Sequence, residues 1–228
     1  QANTTAGFSI VTYTGNGSTG ATVGHGLSDA LATIILKRRV DDGSGNNFNW
    51  QVWHKSITDD HRGALNTNGA FGSPSDLVFD TSANTTSVLG LGFNNTSNQS
   101  SKTYVAYCFA EKQGYSKFGS YEGSSNADGP FIYTGFKPSW IMIKNIDAAE
   151  HWIIQDTARS PHNLMQAQLM PSLSDAEFTG AYNQIDSVSN GFKLRSGDSR
   201  TNASNTYIYM AFAESPFVSS EGVPTTAR

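Results

Sequence analysis

The chain has 228 residues, with 15 Lys and Arg against 19 Asp and Glu. The formal net charge is −4, and no basic cluster of the kind that binds nucleic acid is present. A single cysteine, Cys108, excludes a disulfide framework, and no apolar run is long enough to cross a bilayer as a helix. Abundant glycine, a charged fraction of only 15% and frequent Asn, Ser and Thr point to short strands joined by polar turns rather than to a helical bundle.

The N-terminal residues Gln1 to Thr5 carry neither a charged nor an apolar leader region, and the first residue is not Met. The sequence therefore reads as a fragment or processed product of something longer. Gly7 to Tyr13 alternates as a strand and enters a glycine-rich stretch, Thr14 to Gly20. Gly15, Gly17 and Gly20 share the spacing of a phosphate-binding loop, but Ala21 to Gly26 has poor helix propensity, so a plain hairpin or loop is expected.

Leu31 to Lys37 is apolar enough for a central strand, and Asp41 to Asn46 reads as an Asx-rich turn, lacking the regular ligand spacing of a calcium loop. Phe48 to His54 alternates with Phe48, Trp50, Val52 and His54 on one face and Asn49, Gln51 and Trp53 on the other. The polar neighbours of Trp53 make it the tryptophan expected to be exposed. His54, Asp60, His61 and Arg62 are expected beside it as a polar binding patch. Further strands are expected at Leu77 to Phe79, Ser87 to Phe93 and Thr103 to Glu111, the last entered through the polar turn Asn94 to Ser101.

Past Lys112 to Ser116 the pattern restarts. Phe118 to Ser124 answers Ile10 to Asn16, with Tyr121 under Tyr13 and Gly123 under Gly15. Ser139 to Lys144 answers Ala32 to Lys37, and His151 to Asp156 answers Asn49 to His54, pairing Trp152 with Trp50. TYIYMAFAE at Thr206 to Glu214 answers TYVAYCFAE at Thr103 to Glu111. Both copies of this last stretch read as central strands covered on two faces, with Glu111 and Glu214 expected to share a structural task such as bonding a turn. Arg159 to Met170 contains helix formers and is expected to make a turn or two of helix; strands resume at Ile185 to Val188 and Gly191 to Arg195.

Four landmarks in one order predict an all-β protein of two tandem β-sandwich, jelly-roll-like halves related by internal duplication, each of about six or seven strands. The halves are placed at residues 1–114 and 115–218, with a polar C-terminal tail at 219–228. The histidines show no metal-ligating spacing, and no G-x-S-x-G elbow or regular carboxylate pair is present. No catalytic residue, metal or cofactor is expected, and the chain is read as not an enzyme.

Residues 7–17 (GFSIVTYTGNG), 103–123 (TYVAYCFAEKQGYSKFGSYEG), 128–144 (DGPFIYTGFKPSWIMIK) and 205–218 (NTYIYMAFAESPFV) together carry a wider likeness. They resemble a repeated β-rich domain of uncharacterised function in virion structural and tail-fibre-like proteins of tailed bacteriophages, many of them marine. The resemblance implies a virion component assembled in the bacterial host cytoplasm, contacting other virion proteins as a homo-oligomer, with a trimer favoured. A receptor-binding module that contacts host-surface polysaccharide without catalysis is the leading expectation. Capsid decoration is the alternative, and a glycan depolymerase ranks behind both. Neither nucleic acid nor membrane insertion is implied.

Overall fold

A computed structural model describes residues 1–40, 48–57, 61–72 and 77–214, together with strand backbone at 217–218 and 224–225. The protein is all-β, and the chain divides into two compact units. Unit 1 comprises Gln1–Asn66 and Phe71–Glu111; unit 2 comprises Thr67–Ala70 and Lys112–Arg228.

Unit 1 contains β1 (Ala2–Asn3), β2 (Phe8–Thr14), β3 (Ala21–Gly24), β4 (Leu31–Arg38), β5 (Gln51–His54), β6 (Gly63–Ala64), β7 (Val88–Leu91) and β8 (Thr103–Ala110). Its main sheet runs β1-β2-β8-β4-β5-β6, all antiparallel, and β3 pairs separately with β7. Registers Tyr13↔Tyr104, Val11↔Ala106 and Ser9↔Cys108 continue into Arg38, Leu36 and Ile34 of β4, so these residues share one face. On β8 that face is buried throughout, while Val105, Tyr107 and Phe109 opposite are only half-buried. The expectation of two fully covered faces does not hold for β8.

Unit 2 contains β9 (Ser116–Glu122), β10 (Phe131–Tyr133), β11 (Trp140–Asn145), β12 (Ile153–Asp156), β13 (Gln168–Leu169), β14 (Ile185–Val188), β15 (Gly191–Leu194) and β16 (Thr206–Phe212), followed by β17 (Phe217–Val218) and β18 (Pro224–Thr225). The main sheet is β9-β16-β11-β12-β13, and a smaller sheet is β10-β15-β14. The core joins the two: Ile141, Ile143, Tyr207, Tyr209 and Ala211 from the main sheet pack with Ile132, Ile185, Phe192 and Leu194 from the smaller one. Phe192 meets Tyr209 edge-on at 5.4 Å. On β16 both faces are buried from Tyr207 to Ala211. Beyond β16, the segment 219–228 lies outside the described residues except for β18, which pairs with β17.

Taken in chain order the two main sheets have matching strand sequence: β2-β8-β4-β5-β6 in unit 1 and β9-β16-β11-β12-β13 in unit 2. The correspondence reaches side chains. Tyr13 stacks on Tyr104 at 5.1 Å, and Tyr121 stacks on Tyr207 at 5.0 Å. Tyr13 Oη donates to Ser97 O at 2.6 Å and Tyr121 Oη to Thr201 O at 2.7 Å. Tyr104 Oη donates to Asn95 O and accepts from Gln99 N–H; Tyr207 Oη donates to Ser199 O and accepts from Ala203 N–H.

Each unit also holds one buried asparagine amide in these loops. Asn98 Oδ1 accepts from Asn16 N–H and its Nδ2 donates to Ser18 O, and Asn202 Oδ1 accepts from Ser124 N–H while its Nδ2 donates to Asn126 O and Ser196 O. Each amide ties the loop after the first core strand to the loop before the last one. Gly123 is needed where these loops cross, because a Cβ there would collide with Ala203 O; Gly15 meets Gln99 O in the same way.

Four sequence-based expectations are corrected. Arg159 to Met170 forms no helix: Ser160 Oγ accepts from Gln166 N–H and Ala167 N–H, and the Asn163 amide exchanges hydrogen bonds with Ser187 N–H and O, so side chains hold this stretch in a bend that bridges β14 at Met165 and leads into β13. Leu77 to Phe79 makes only an isolated bridge, Phe79 to Leu91. Phe48 to Trp50 precedes β5 rather than belonging to it. Finally, Glu111 and Glu214 do not share a task, since Glu111 pairs with Lys55 at 2.5 Å while Glu214 is exposed.

Two predictions follow from the loop clamps. Asn98→Ala and Asn202→Ala each leave buried backbone groups without partners, and each is expected to cost about 2–3 kcal/mol; denaturant midpoints check this, and losses below about 0.5 kcal/mol would show the amides to be dispensable. The stacked tyrosines set an alkaline limit. Burial raises the pKa of Tyr13 and Tyr104, raises Tyr121 well above its ordinary 10.0, and pushes Tyr207 up to about 12. A raised phenol favours folding fully below the unfolded-state value, so the tyrosines' contribution should hold up to about pH 10 and be lost above it, whereas the buried Lys144, its pKa lowered to about 8, makes stability rise between about pH 8 and 10. Urea unfolding across pH 8 to 12 measures the slope, and Tyr121→Phe should make it shallower.

Candidate functional site

Trp53, the aromatic expected at the surface, is 8% exposed, and all four residues of β5 are buried. The polar character of its face was misleading because the polar groups consume each other: Gln51 Oε1 accepts from Arg62 Nη1 at 2.6 Å. His54 is buried and its Nδ1 accepts from Ser56 N–H at 3.1 Å. His61 and Arg62 are half-buried, and Asp60 lies outside the described residues. Trp53 and His54 are therefore buried, with Gln51 and Arg62 bonded to each other beside them, and do not form an exposed aromatic patch.

Lys144 on β11 draws notice as a fully buried amine. Its Nζ donates to the carbonyl oxygens of Asn145 (2.7 Å), Glu150 (2.7 Å), Asn68 (3.2 Å) and Ala148 (3.4 Å). Burial pushes its pKa down to about 8. Carbonyls take every N–H the ammonium has to offer, so the group ties chain segments together within unit 2 and offers neither a base nor a nucleophile to solvent. Among the described residues no three His, Cys, Asp or Glu side chains are grouped so as to hold a metal ion.

The exposed chemistry collects instead on the outer face of β10-β15-β14. Burial alternates along β10: Ile132 enters the core, whereas Phe131 and Tyr133 are 47% and 64% exposed. Pairing places Phe131 opposite Lys193 and Tyr133 opposite Gly191 on β15, and Lys193 opposite Asp186 on β14. These side chains therefore share the outer face. Gly191 leaves room for the Phe131 ring: a Cβ there would stand 2.9 Å from two ring atoms and would strike Ile132 O.

Charges line the same face. Arg195 Nε bonds Asp186 Oδ2 at 2.6 Å, and Asp186 is largely buried. Asp128, from the loop entering β10, has a side chain 77% exposed and reaches Lys193 Nζ at 2.8 Å and Arg195 Nη1 at 3.4 Å. The hydrogen bond from Lys193, with the charges of Lys193 and Arg195, holds the Asp128 carboxyl below its usual range. Two aromatic side chains about 6.6 Å apart along a strand thus stand beside two cations, one oriented by Asp186 and both contacted by Asp128.

The sequence signal for this face was the alternation FIY at Phe131 to Tyr133, which a three-residue strand makes too short to read alone. The counterpart face of unit 1 is different. Matching registers place Thr22, Gly24 and Gly90 where unit 2 has Phe131, Tyr133 and Lys193. There a 3-10 turn at Thr81–Ala83 packs over β7, and a Cβ on Gly90 would strike Asp80 O and Ala83.

Comparison with curated proteins and with solved structures finds no match to the chain. The family described as a domain of unknown function, DUF7483, matches residues 1–216, and the chain belongs to that family.

Proposed function

We propose that this chain is a virion structural protein of a tailed bacteriophage, a tail-fibre or receptor-binding module that holds host-surface polysaccharide without catalysis. The observation that carries the binding part of the reading is the pair Phe131 and Tyr133, large and exposed on a strand whose neighbours are hydrogen-bonded into a sheet. Aromatic faces beside polar groups suit the C–H faces of sugar rings, and a sheet holds them at fixed spacing so that little order is lost on binding. The virion part rests on the sequence resemblance to phage structural domains. A non-catalytic role is supported by the carboxylates themselves, since Glu111 is ion-paired with Lys55 and Asp128 spans two cations.

We also infer that the two units descend from an internal duplication, on the shared strand order, the paired tyrosine stacks and the paired asparagine clamps. Assembly as a homo-oligomer, with three copies favoured in a fibre, belongs to the same proposal and would multiply a weak single-site affinity.

The test is binding of purified, native oligomer to polysaccharide extracted from host cells, with Phe131→Ala/Tyr133→Ala as the variant. Wild type should bind, and the double variant should lose about tenfold or more in affinity while keeping its melting temperature. Absence of binding by the wild-type oligomer, together with localisation to the head in electron micrographs of virions, would replace this reading with capsid decoration. Release of shortened oligosaccharides on long incubation would replace it with a depolymerase.

A further inference from the structure

The charges beside Phe131 and Tyr133 say what kind of sugar the face would take, an inference that rests on the polysaccharide-binding reading above. Of the two carboxylates there, Asp186 is largely buried and bonds Arg195 Nε, fixing how the guanidinium points. Asp128 differs in every respect that bears on exchange. Its side chain is 77% exposed, it sits in the loop before β10, and it approaches Arg195 Nη1 only at 3.4 Å while taking 2.8 Å from Lys193 Nζ. A solvent-exposed pair of this kind contributes little to folding, so an incoming anion can replace it at small cost.

The geometry therefore displays a carboxylate-sized anion seated on two cations, directly across the strand pair from Phe131. Phe131 and Lys193 are opposite each other, and the bond from Leu194 N–H to Pro130 O places them in the closer, non-hydrogen-bonded type of pair. A pyranose ring lying on Phe131 or Tyr133 would carry a C5 carboxylate to the place that Asp128 Oδ1 occupies. The four charged groups, Lys193, Arg195, Asp128 and Asp186, sum to zero, and displacement of Asp128 leaves one positive charge for the ligand. Because the whole chain is at −4, a polyanion gains nothing from long-range attraction and is held only where the local pair is offered.

We propose that the outer face of β10, β15 and β14 binds a uronate-bearing polysaccharide, with the sugar ring on Phe131 and Tyr133 and its carboxylate on Lys193 and Arg195 in place of Asp128. Asp128 is then a specificity residue: it screens the cations from ligands without an anion and yields to those that have one. Unit 1, with Thr22, Gly24 and Gly90 at the matching positions, has no such site.

The experiment titrates the full chain with oligogalacturonate and with the neutral galacto-oligosaccharide made from it by carboxyl reduction. Wild type should prefer the acidic oligomer by about tenfold. Asp128→Asn should tighten the acidic oligomer, and Lys193→Met/Arg195→Met should weaken it about tenfold while leaving the neutral oligomer unchanged. Equal affinity for the two oligomers, no effect of Asp128→Asn, or no binding of oligogalacturonate by either wild type or Asp128→Asn overturns the inference. Host polysaccharide that binds through Phe131 and Tyr133 equally well before and after carboxyl reduction would overturn it while leaving the polysaccharide-binding reading standing.

Discussion

A sheet that ends in long polar loops must satisfy the backbone groups where those loops cross, because water is excluded there and an unpaired buried amide or carbonyl costs as much as a lost hydrogen bond. In each unit one asparagine side chain meets that demand. Asn98 and Asn202 use both amide functions on the loop that follows the first core strand, while a stacked tyrosine pair pins the loop that precedes the last one. The requirement is geometric as well as polar, since the loops cross closely enough that Gly15 and Gly123 have no room for a Cβ. The sandwich core below can then be ordinary, built from aliphatic and aromatic side chains meeting across two sheets.

Much of this architecture was legible in the sequence because similar stretches recur along it. Strand alternation at Thr103 to Glu111 and at Thr206 to Glu214 locates an interior strand of each main sheet, and the matches of Tyr13 with Tyr121 and Gly15 with Gly123 mark the crossing loops. Asn98 and Asn202 were not legible, since an asparagine in a polar turn looks alike whether its amide faces water or the interior. The stretch Arg159 to Met170 failed for a related reason. Its helix formers weigh a local preference, while the Asn163 amide and the Ser160 hydroxyl impose a bent path through bonds to residues far along the chain or across a turn.

The site was misread through a rule that works only on average. Polar neighbours on one strand face suggest solvent, yet Gln51 is buried and accepts from Arg62, and Trp53 beside it is buried too. Conversely, Phe131 and Tyr133 lie on a strand of three residues, where period-two alternation has too few positions to separate an exposed aromatic from a core one. What settles their direction is the register with β15, a long-range pairing that no local pattern contains.

The two units differ in the face that the proposed function uses. The elements they share, from the main-sheet order to the tyrosine stacks, are those that position loops. The face that would meet a ligand is not shared. In unit 1 a 3-10 turn packs over Gly90, while Thr22 and Gly24 on the neighbouring strand are exposed but carry no aromatic ring. In unit 2 the corresponding strand turns Lys193 outward, β14 supplies Asp186 to orient Arg195, and the loop into β10 contributes Asp128. On the proposed polysaccharide-binding function, this difference gives the contact to unit 2, whose small sheet alone carries the aromatic pair beside Lys193 and Arg195 among the described residues.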